Sequence, residues 1–474
     1  MLFEAACSVP LAPGYRILKQ EREVSFAPGD APELRVDSRY TLENSGTTDL
    51  SFIDVNLPDE KLYGRKDIRF ELDGHVAAPV SSRGENQSSS PNVRRIEFGP
   101  VWKQREKREV TIEYAFSSPD DSGSRVTLGR ESFHLGSRGW APLPEPPKHF
   151  LAPHPSRPAR VSYTVRVPSN FMVLARGTPA GRKQQGEEAV HRFELRKGDL
   201  TPFVVAGNYV ASSPEHKTET AIFWTFQPLK DDPQPALKRI DAAWDILEKE
   251  FGQFDKNIRV PHIVESTGLR NHLTGEPGPA AVAFPGGALV DSEALALGIA
   301  SDGFLEAVTH ALAHNWFGDE VFFAPGAALG MGEGLPEYAA IVAEESEKGE
   351  PGRRQRIVAY LNEYDAALIH ATETPLGVTM MTDPIEQRRI ALAKAPLFFV
   401  ALEDACGEEP IRSGLREMVT LLRGQETSYD ALRSALEQSS GKNLAALFRV
   451  WLNNKGIPAD FRARYEAPAE NSRQ

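Results

Sequence analysis

Cysteine is nearly absent from this 474-residue chain, which contains only Cys7 and Cys406. Two cysteines cannot build a disulfide framework, and neither belongs to a spaced metal-binding motif. No apolar run approaches the roughly 20 residues that a membrane-spanning helix needs. Basic residues form no dense block and are outnumbered, with 54 Lys and Arg against 66 Asp and Glu. The net charge of −12 therefore argues against a nucleic-acid partner.

The first ten residues lack the basic region of a signal peptide, and Glu4 interrupts their apolar stretch. The sequence as it stands therefore predicts a soluble, cytoplasmic protein with a buried or idle Cys7. The alternative is an exported protein anchored by a lipid at Cys7. It rests on "AAC" followed by "SVPLAPGYRI", which is similar to the end of a bacterial lipoprotein signal whose front is missing.

Two different hydrophobic patterns divide the chain. Apolar and polar residues alternate in "LRVDSRYTLEN", "VTIEYAF" and "VSYTVRVP", which is the pattern of half-buried strands. A polar stretch at residues 81–92 predicts a mobile loop, and residues 211–220 form the predicted linker. Beyond the linker, "ALKRIDAAWDILEKEFG" has a helical apolar stripe that ends at a capping glycine, Gly252. We predict an α+β protein, with a β domain over residues 1–212 and a mainly helical domain over residues 213–474.

Two histidines four residues apart, His310 and His314, lie in "THALAHNWFGDEV". On a helix this spacing puts both imidazoles on one face, where they can bind one ion. Glu333, in "MGEGLPEYAA", completes a set of two histidines and one carboxylate, which recurs in catalytic zinc sites with an open fourth position. Glu337, one turn further, is predicted to accept the other ring N–H of a ligand histidine. The alternative is a structural histidine pair and a Glu333 that only favours a helix start.

The pattern "HxxxHNWFG" followed by "GEGLPEY" resembles the aminopeptidase N family of zinc peptidases, which is peptidase family M1 among the gluzincins. "SRGWAPLPEP", "VPSNFMVLARGTPAG", "TPFVVAGNY" and "WLNNKGIP" resemble that family in the same order. The resemblance covers most of the chain. It implies an antiparallel β-sandwich-like domain followed by a thermolysin-like zinc-peptidase domain, with Zn²⁺ held by His310, His314 and Glu333.

The chain departs from the family's pattern at two positions of the reaction. A glutamate that takes a proton from water follows the first ligand histidine in the family, whereas this chain has Ala311. Loss of a positioned general base typically costs about 10²–10⁴ in rate. The family also has an oxyanion-binding tyrosine two residues before a Lys-Gly or Lys-Ala pair. The pair here is Lys394-Ala395, and the tyrosine position holds Leu392, which cannot donate a hydrogen bond.

A third departure concerns substrate binding. The family has a Gly-x-Met-Glu segment on an edge strand, whose glutamate holds the substrate's free amine. The matching stretch is "AAVAFPGGALV", where Ala283 stands at the glutamate position before Phe284 and Gly286. We predict that these three residues line the substrate site. Glu276, in "TGEPG", is an alternative amine-binding carboxylate.

Asp319 and Glu320 follow the histidine helix by more than a turn, so we expect them to point away from the metal. No other residue is an obvious replacement for the base. We interpret the chain as a pseudopeptidase that binds zinc and peptide or protein N-termini but hydrolyses them poorly. One alternative is an active or altered-specificity zinc metallohydrolase or aminopeptidase. The other is a non-catalytic scaffold or binding protein with structural zinc, although such zinc normally has four protein ligands and we find three.

Overall fold

The computed structural model describes residues 14–57, 65–81, 93–117, 126–136, 140–142, 160–195, 203–212, 220–254, 258, 260–266, 269, 281–296 and 298–466. Cys7, Glu276, most of the predicted loop 81–92 and the centre of the predicted linker 211–220 lie outside these residues. The chain divides into two compact units between Tyr209 and Val210. The sequence predicts this division after residue 212.

The first unit is built from strands. In chain order they are β1 (Tyr15–Ala27), β2 (Glu33–Asn44), β3 (Leu50–Asn56), β4 (Arg65–Leu72), β5 (His75–Ala77), β6 (Val80–Ser81), β7 (Val93–Trp102), β8 (Lys107–Ser117), β9 (Val126–Leu128), β10 (Ser132–Leu135), β11 (Arg160–Pro168), β12 (Met172–Ala175), β13 (Thr178–Gln185), β14 (Glu188–Leu195) and β15 (Val204–Gly207). They form sheets of eight, four and three strands, and the eight-stranded sheet has the order β13-β14-β11-β1-β2-β8-β4-β5. The predicted strands correspond to β2, β8 and β11.

A single hydrophobic core joins the three sheets of this unit. Val36, Tyr40, Ile112 and Tyr163 project into it from one face of the large sheet, while the residues between them are more exposed, as the two-residue period predicts. Neighbouring strands in the sheets described for this first unit are antiparallel, except for β1 and β11, which pair in parallel. The sandwich-like arrangement expected from the sequence is therefore confirmed, with one parallel pair inside it.

The second unit combines a mixed sheet with helices. Its strands are β16 (Val210–Ala211), β17 (Ile222–Thr225), β18 (His262–Ser266), β19 (Ala281–Phe284), β20 (Gly287–Asp291), β21 (Phe322–Phe323) and β22 (Glu426–Thr427). Its helices are α1 (Gln234–Phe251), α2 (Ser292–Ala296), α3 (Asp302–Ala313), α4 (Gly334–Leu368), α5 (Ile385–Cys406), α6 (Glu408–Leu421), α7 (Tyr429–Ser440), α8 (Ala445–Asn453) and α9 (Ala459–Glu466). Among these helices, none is both long and apolar enough to cross a membrane.

The five-stranded sheet of this unit has the order β16-β17-β18-β20-β19, so β19 is an edge strand. Helix α1 buries the predicted stripe, which includes Leu237, Ile240 and Trp244. The helix ends where predicted, because Gly252 adopts a φ of 93° and donates its N–H to the carbonyl of Glu248. The prediction of a β region followed by a mainly helical α+β region is confirmed.

Helix α4 contains one reversal of the backbone. Gly349 has φ 69° and ψ −169°, a conformation that side-chain-bearing residues rarely adopt, and Pro351 follows it. We call residues 334–348 the first arm and residues 351–368 the second arm. Arg353 in the second arm donates a hydrogen bond of 3.1 Å to Glu345 in the first, so the two arms run back along each other. This hairpin places residues that are distant in sequence beside the histidine helix α3.

Candidate metal centre

The end of helix α3 presents the two histidines. The helix begins at Ser301, whose hydroxyl accepts the Phe304 N–H at 3.3 Å, a typical N-terminal cap. His310 lies in its last turn and His314 caps its C-terminus. One helical turn therefore separates the two imidazoles, as the spacing predicts.

Three nitrogen and oxygen donors converge at this helix end. The Nε2 atoms of His310 and His314 are 3.0 Å apart, and Oε2 of Glu333 lies 3.6 Å and 3.5 Å from them. Zinc bonds of about 2.0–2.1 Å at tetrahedral angles place neighbouring donors roughly 3.3–3.4 Å apart. Both histidine side chains keep about a sixth of their surface exposed, at 16% and 17%. The donor set fits a divalent ion that solvent can reach.

Glu333 comes from a separate element. It is the N-cap residue of α4, immediately before the first arm. Among the described residues, His310, His314 and Glu333 are the one group of histidine, cysteine and acidic side chains that could hold a metal ion. The structure thus brings the three predicted ligands together.

The other ring nitrogen of each histidine is also engaged. Nδ1 of His310 lies 3.0 Å from Oε1 of Glu337, the partner expected from the sequence. Nδ1 of His314 lies 3.2 Å from the carbonyl of Phe317. Carboxylates and carbonyls only accept hydrogen bonds here, so each Nδ1 carries the proton. The lone pair of a neutral imidazole is then left on Nε2, which faces the other donors.

The carboxylates give this centre a strong preference for positive charge. Burial alone would lower the pKa of His310, but the charges and hydrogen bonds of Glu337 and Glu333 outweigh it and raise the pKa to about 10. Burial would raise the pKa of Glu337, but His310 and Arg356 outweigh it and lower the pKa to about 2. A site that holds a proton this firmly without metal has the charge balance to hold a cation in its place.

The "HNWFG" motif anchors the end of α3. Asn315, fully buried, accepts the Gly286 N–H at 2.6 Å and donates to the Leu312 carbonyl at 2.8 Å. The indole N–H of Trp316 donates to the Gly252 carbonyl at 2.6 Å. Gly318 has φ 149°, and a Cβ there would lie 3.3 Å from Nδ1 of His314. The motif therefore ties the histidine turn to α1 and to the β19–β20 turn.

Both residues at which the sequence departs from the resembled family's reaction pattern are shielded from solvent, one fully and one partly. Ala311 is completely buried. Leu392 lies in the middle of α5 and is partly buried. Glu320 forms an ion pair with Arg423, away from the donor set, as expected. Asp319 is buried and is not part of the metal-binding group found among the described residues.

The predicted substrate segment lies beside the histidine helix. β19, which carries Ala283 and Phe284, packs against α3, and Gly286 forms the turn to β20. Ala283 is partly exposed, whereas Phe284 and Gly286 are buried. Their role in binding a substrate stays a prediction.

Sequence reasoning missed one buried ion pair near these positions. Lys394 donates to Glu373 at 2.7 Å and to the Asn454 carbonyl at 2.8 Å. Glu373 also accepts the hydroxyl of Tyr364 at 2.6 Å and the Gly456 N–H at 2.5 Å. The lysine of the Lys-Ala pair thus joins α5 to the "WLNNKGIP" segment. No local signal connects Glu373 to either motif, because they are remote in sequence.

A β unit, a mixed-sheet helical unit and a His-x-x-x-His turn with a downstream glutamate together define a zinc-metallopeptidase-like protein. Residues 289–451 of this chain match the model of the peptidase family M1 domain. The chain is 23% identical over 325 residues, or 64% of its length, to probable aminopeptidase 1 of Sulfurisphaera tokodaii. It is 28% identical over 161 residues, or 32% of this chain, to aminopeptidase N of Lactobacillus delbrueckii subsp. lactis. The matches span 39% and 18% of those two relatives.

The fold is also similar to solved structures. An M1 zinc metallopeptidase from Deinococcus radiodurans superposes with a TM-score of 0.65 at 16% identity, covering 94% of this chain and 96% of that one. A glutamate-to-alanine variant from the same organism, described as bound to a Tyr-Ser-Ala substrate, gives a TM-score of 0.63 at 17% identity, with the same coverage. At these identities the likeness establishes the two-domain fold.

Proposed function

We propose that the chain binds a zinc ion through His310, His314 and Glu333, holds peptide or protein N-termini beside it, and hydrolyses them poorly. The observation that carries this proposal is a complete donor triangle directly beside a buried Ala311. Zinc in such a site supplies a Lewis acid that polarises a carbonyl and lowers the pKa of water. The ligands support metal binding, whereas the neighbouring side chains do not support proton transfer.

The reaction needs two further groups that these positions do not provide. A methyl group at Ala311 cannot accept a proton from water or pass one to a leaving amine. An isobutyl group at Leu392 cannot stabilise the negative oxygen of a tetrahedral intermediate. A carbonyl polarised at the metal would therefore meet no positioned base and no donor from these positions. Binding without efficient turnover is the expected result.

Peptide binding is supported by two observations. The edge strand β19 lies next to α3, and an extended peptide can add to such an edge through backbone hydrogen bonds. The Deinococcus variant with one glutamate replaced by alanine is described as bound to a tripeptide substrate. A protein of this fold can therefore hold a peptide after losing a glutamate.

Two measurements on the full chain test the proposal. After chelation and zinc repletion, we expect about one zinc per chain by metal analysis, and His310→Ala should lose it while His370→Ala, which removes an exposed histidine, should not. Fluorescence anisotropy should detect binding of a short peptide with a free N-terminus to the zinc form. A panel of aminoacyl and peptide fluorogenic substrates should give rates near background.

The alternatives predict different results. Metal-dependent turnover well above background in that panel would identify an active or altered-specificity metallohydrolase, which a set of only three protein donors among the described residues would permit. Wild-type protein without high-affinity zinc would refute the proposal. Tight zinc binding without peptide binding would favour the scaffold, with the metal in a structural role.

A further inference from the structure

The second arm of α4 contacts Glu337, which lies in the first arm and faces the metal ligand His310. In an uninterrupted helix, the 23 residues from Glu337 to Tyr360 would span about 34 Å at 1.5 Å per residue. In the structure the Tyr360 hydroxyl donates directly to the Glu337 carboxylate. The reversal at Gly349 makes this contact, because it brings the second arm back against the first.

The two oxygens of Glu337 have separate partners. Oε1 faces Nδ1 of His310 at 3.0 Å. Oε2 accepts the hydroxyl of Tyr360 and also lies 3.4 Å from a guanidinium nitrogen of Arg356. The second arm therefore holds the carboxylate through Oε2, while Oε1 orients the ligand histidine. Without the donors at Oε2, the carboxylate would be free to rotate away from His310.

Arg356 connects the same carboxylate to helix α3. Its guanidinium also pairs with Glu306, which lies one turn before His310 on α3. The same group lies 5.3 Å from the centre of the Tyr360 ring, so the two second-arm residues support each other. Arg356 is the only charged member of this pair, and its positive charge would itself repel a bound cation. Tyr360 is therefore the better residue to test, since its hydroxyl can be removed without changing charge or shape.

We infer that Tyr360 and Arg356 are positioning residues, which fix the Glu337 carboxylate so that His310 keeps the ring orientation needed to bind the metal. The inference rests on the proposed zinc site and adds the second arm of α4 to it. Neither residue belongs to the donor set. Their effect is on the affinity for the ion and on the geometry of the His310 ligand.

The test compares Tyr360→Phe with Tyr364→Phe. Both tyrosines lie in the second arm one turn apart, and each donates its hydroxyl to a carboxylate, but Tyr364 donates to Glu373 rather than to Glu337. Zinc affinity is measured by competition with a chromophoric chelator at fixed pH. We expect Tyr360→Phe to weaken zinc binding roughly 3- to 30-fold, within or just below the range of about 10- to 100-fold seen for direct partners of ligand residues. Tyr364→Phe should bind zinc like the wild type.

A double variant shows whether the effect passes through the carboxylate. Glu337→Gln should weaken zinc binding, and adding Tyr360→Phe to it should cause little further loss, because the hydroxyl then has no charged partner to hold. The visible spectrum of the Co²⁺-substituted protein should change in Tyr360→Phe but not in Tyr364→Phe. Thermal unfolding of the metal-free variants should give similar midpoints, which separates a ligand effect from loss of fold.

The outcomes are distinct. Wild-type zinc affinity and spectrum in Tyr360→Phe would overturn the positioning role and leave the zinc site standing. An equal loss of affinity in Tyr364→Phe would also overturn it, because the effect would then be general packing. Wild-type protein that binds no zinc would refute the proposed function itself, and the positioning role would fall with it.

Discussion

Ala311 is the main reason to expect poor hydrolysis, because its methyl group cannot accept a proton. It is fully buried on the same turn as the two histidines, at the position where the sequence resemblance implies a proton-accepting glutamate. A carboxylate introduced there would enter a desolvated position, where burial raises the pKa of an acid. Its function would further depend on an oxyanion donor that Leu392 does not supply.

We therefore expect Ala311→Glu alone to stay near background on aminopeptidase substrates. Each missing oxyanion donor is worth roughly 2.7–4 kcal/mol of transition-state stabilisation, and groups that act on one transition state are not additive. The rate gain of the double variant Ala311→Glu with Leu392→Tyr over the wild type should be larger than the product of the gains of the two single variants. Initial rates at matched zinc content measure this.

Ala311→Gln is the matched control, since it adds the same bulk without a proton acceptor. Robust turnover by Ala311→Glu alone, absent in Ala311→Gln, would show a nearly intact peptidase with one altered residue. The pseudopeptidase interpretation would then be wrong.

His134 makes the β unit sensitive to acid. It is buried in strand β10, and neither of its ring nitrogens has a hydrogen-bond partner among the described residues. Burial lowers the pKa of His134 to about 3, from the ordinary value of 6.5. Between those two values the unfolded chain takes up a proton that the folded chain does not, so stability falls as the pH falls.

From pH 7 to pH 5 this single group should remove about 2 kcal/mol of stability. His134→Leu should abolish that part of the pH dependence, because leucine does not titrate. The measurement is urea unfolding of wild type and variant at both pH values. The exposed His75→Leu serves as control, and an unchanged pH dependence in His134→Leu would contradict the assignment.

Among the elements, α4 does the most to assemble the site. Its first arm follows Glu333 and carries Glu337, and its second arm carries the residues that hold Glu337 in place. The reversal between them occurs at one glycine. The φ and ψ values of Gly349 lie in a region that is essentially restricted to glycine, where another residue costs about 1–3 kcal/mol.

Gly349→Ala should accordingly lower the free energy of unfolding by about 1–3 kcal/mol. Gly303→Ala is the control within the same unit. Gly303 lies in α3, and an added Cβ there would meet no atom within 4 Å. That substitution should be neutral or stabilise by up to about 1 kcal/mol, through the lower entropy of the unfolded chain. Denaturant unfolding of both variants measures the two changes in the free energy of unfolding. Equal changes in the two variants would argue against strain at Gly349.

In the whole molecule, the predicted metal ligands belong to one of the two compact units. His310, His314 and Glu333 all lie in the unit that begins at Val210. A ligand that binds only the folded form stabilises it by RT ln(1 + [L]/Kd), which is about 4 kcal/mol at a thousandfold excess over Kd. The gain should appear in the unit that holds the ion.

Hydrogen exchange followed by mass spectrometry can locate this effect. With zinc, peptides from α3 and from both arms of α4 should exchange more slowly than in chelator-treated protein. Peptides from β2, β8 and β11 should change much less. The zinc-free His310→Ala variant should show no difference between the two conditions. Uniform slowing throughout the chain would mean that the two units unfold together.

Local patterns in the sequence were enough to predict several parts of this protein. The two-residue alternation in β2, β8 and β11 and the stripe on α1 depend only on which face of an element meets a core. The four-residue spacing of His310 and His314 fixes their side of a helix in the same way. The carboxylate in "GEGLPEY" added Glu333 to the predicted donor set, and the change of hydrophobic period after residue 212 predicted the two-domain α+β fold.

Tertiary structure decided the contacts that join remote segments. Nothing local pairs β1 with β11 in parallel, Lys394 with Glu373, or Tyr360 with Glu337. Gly349 and Pro351 do indicate a helix break, but only the folded chain shows that the second arm returns to the metal centre. The hydrophobic period of a segment predicts only which of its own faces is buried. Which element covers that face depends on the packing of all the elements together, and this packing brings the second arm of α4 against Glu337, the partner of His310.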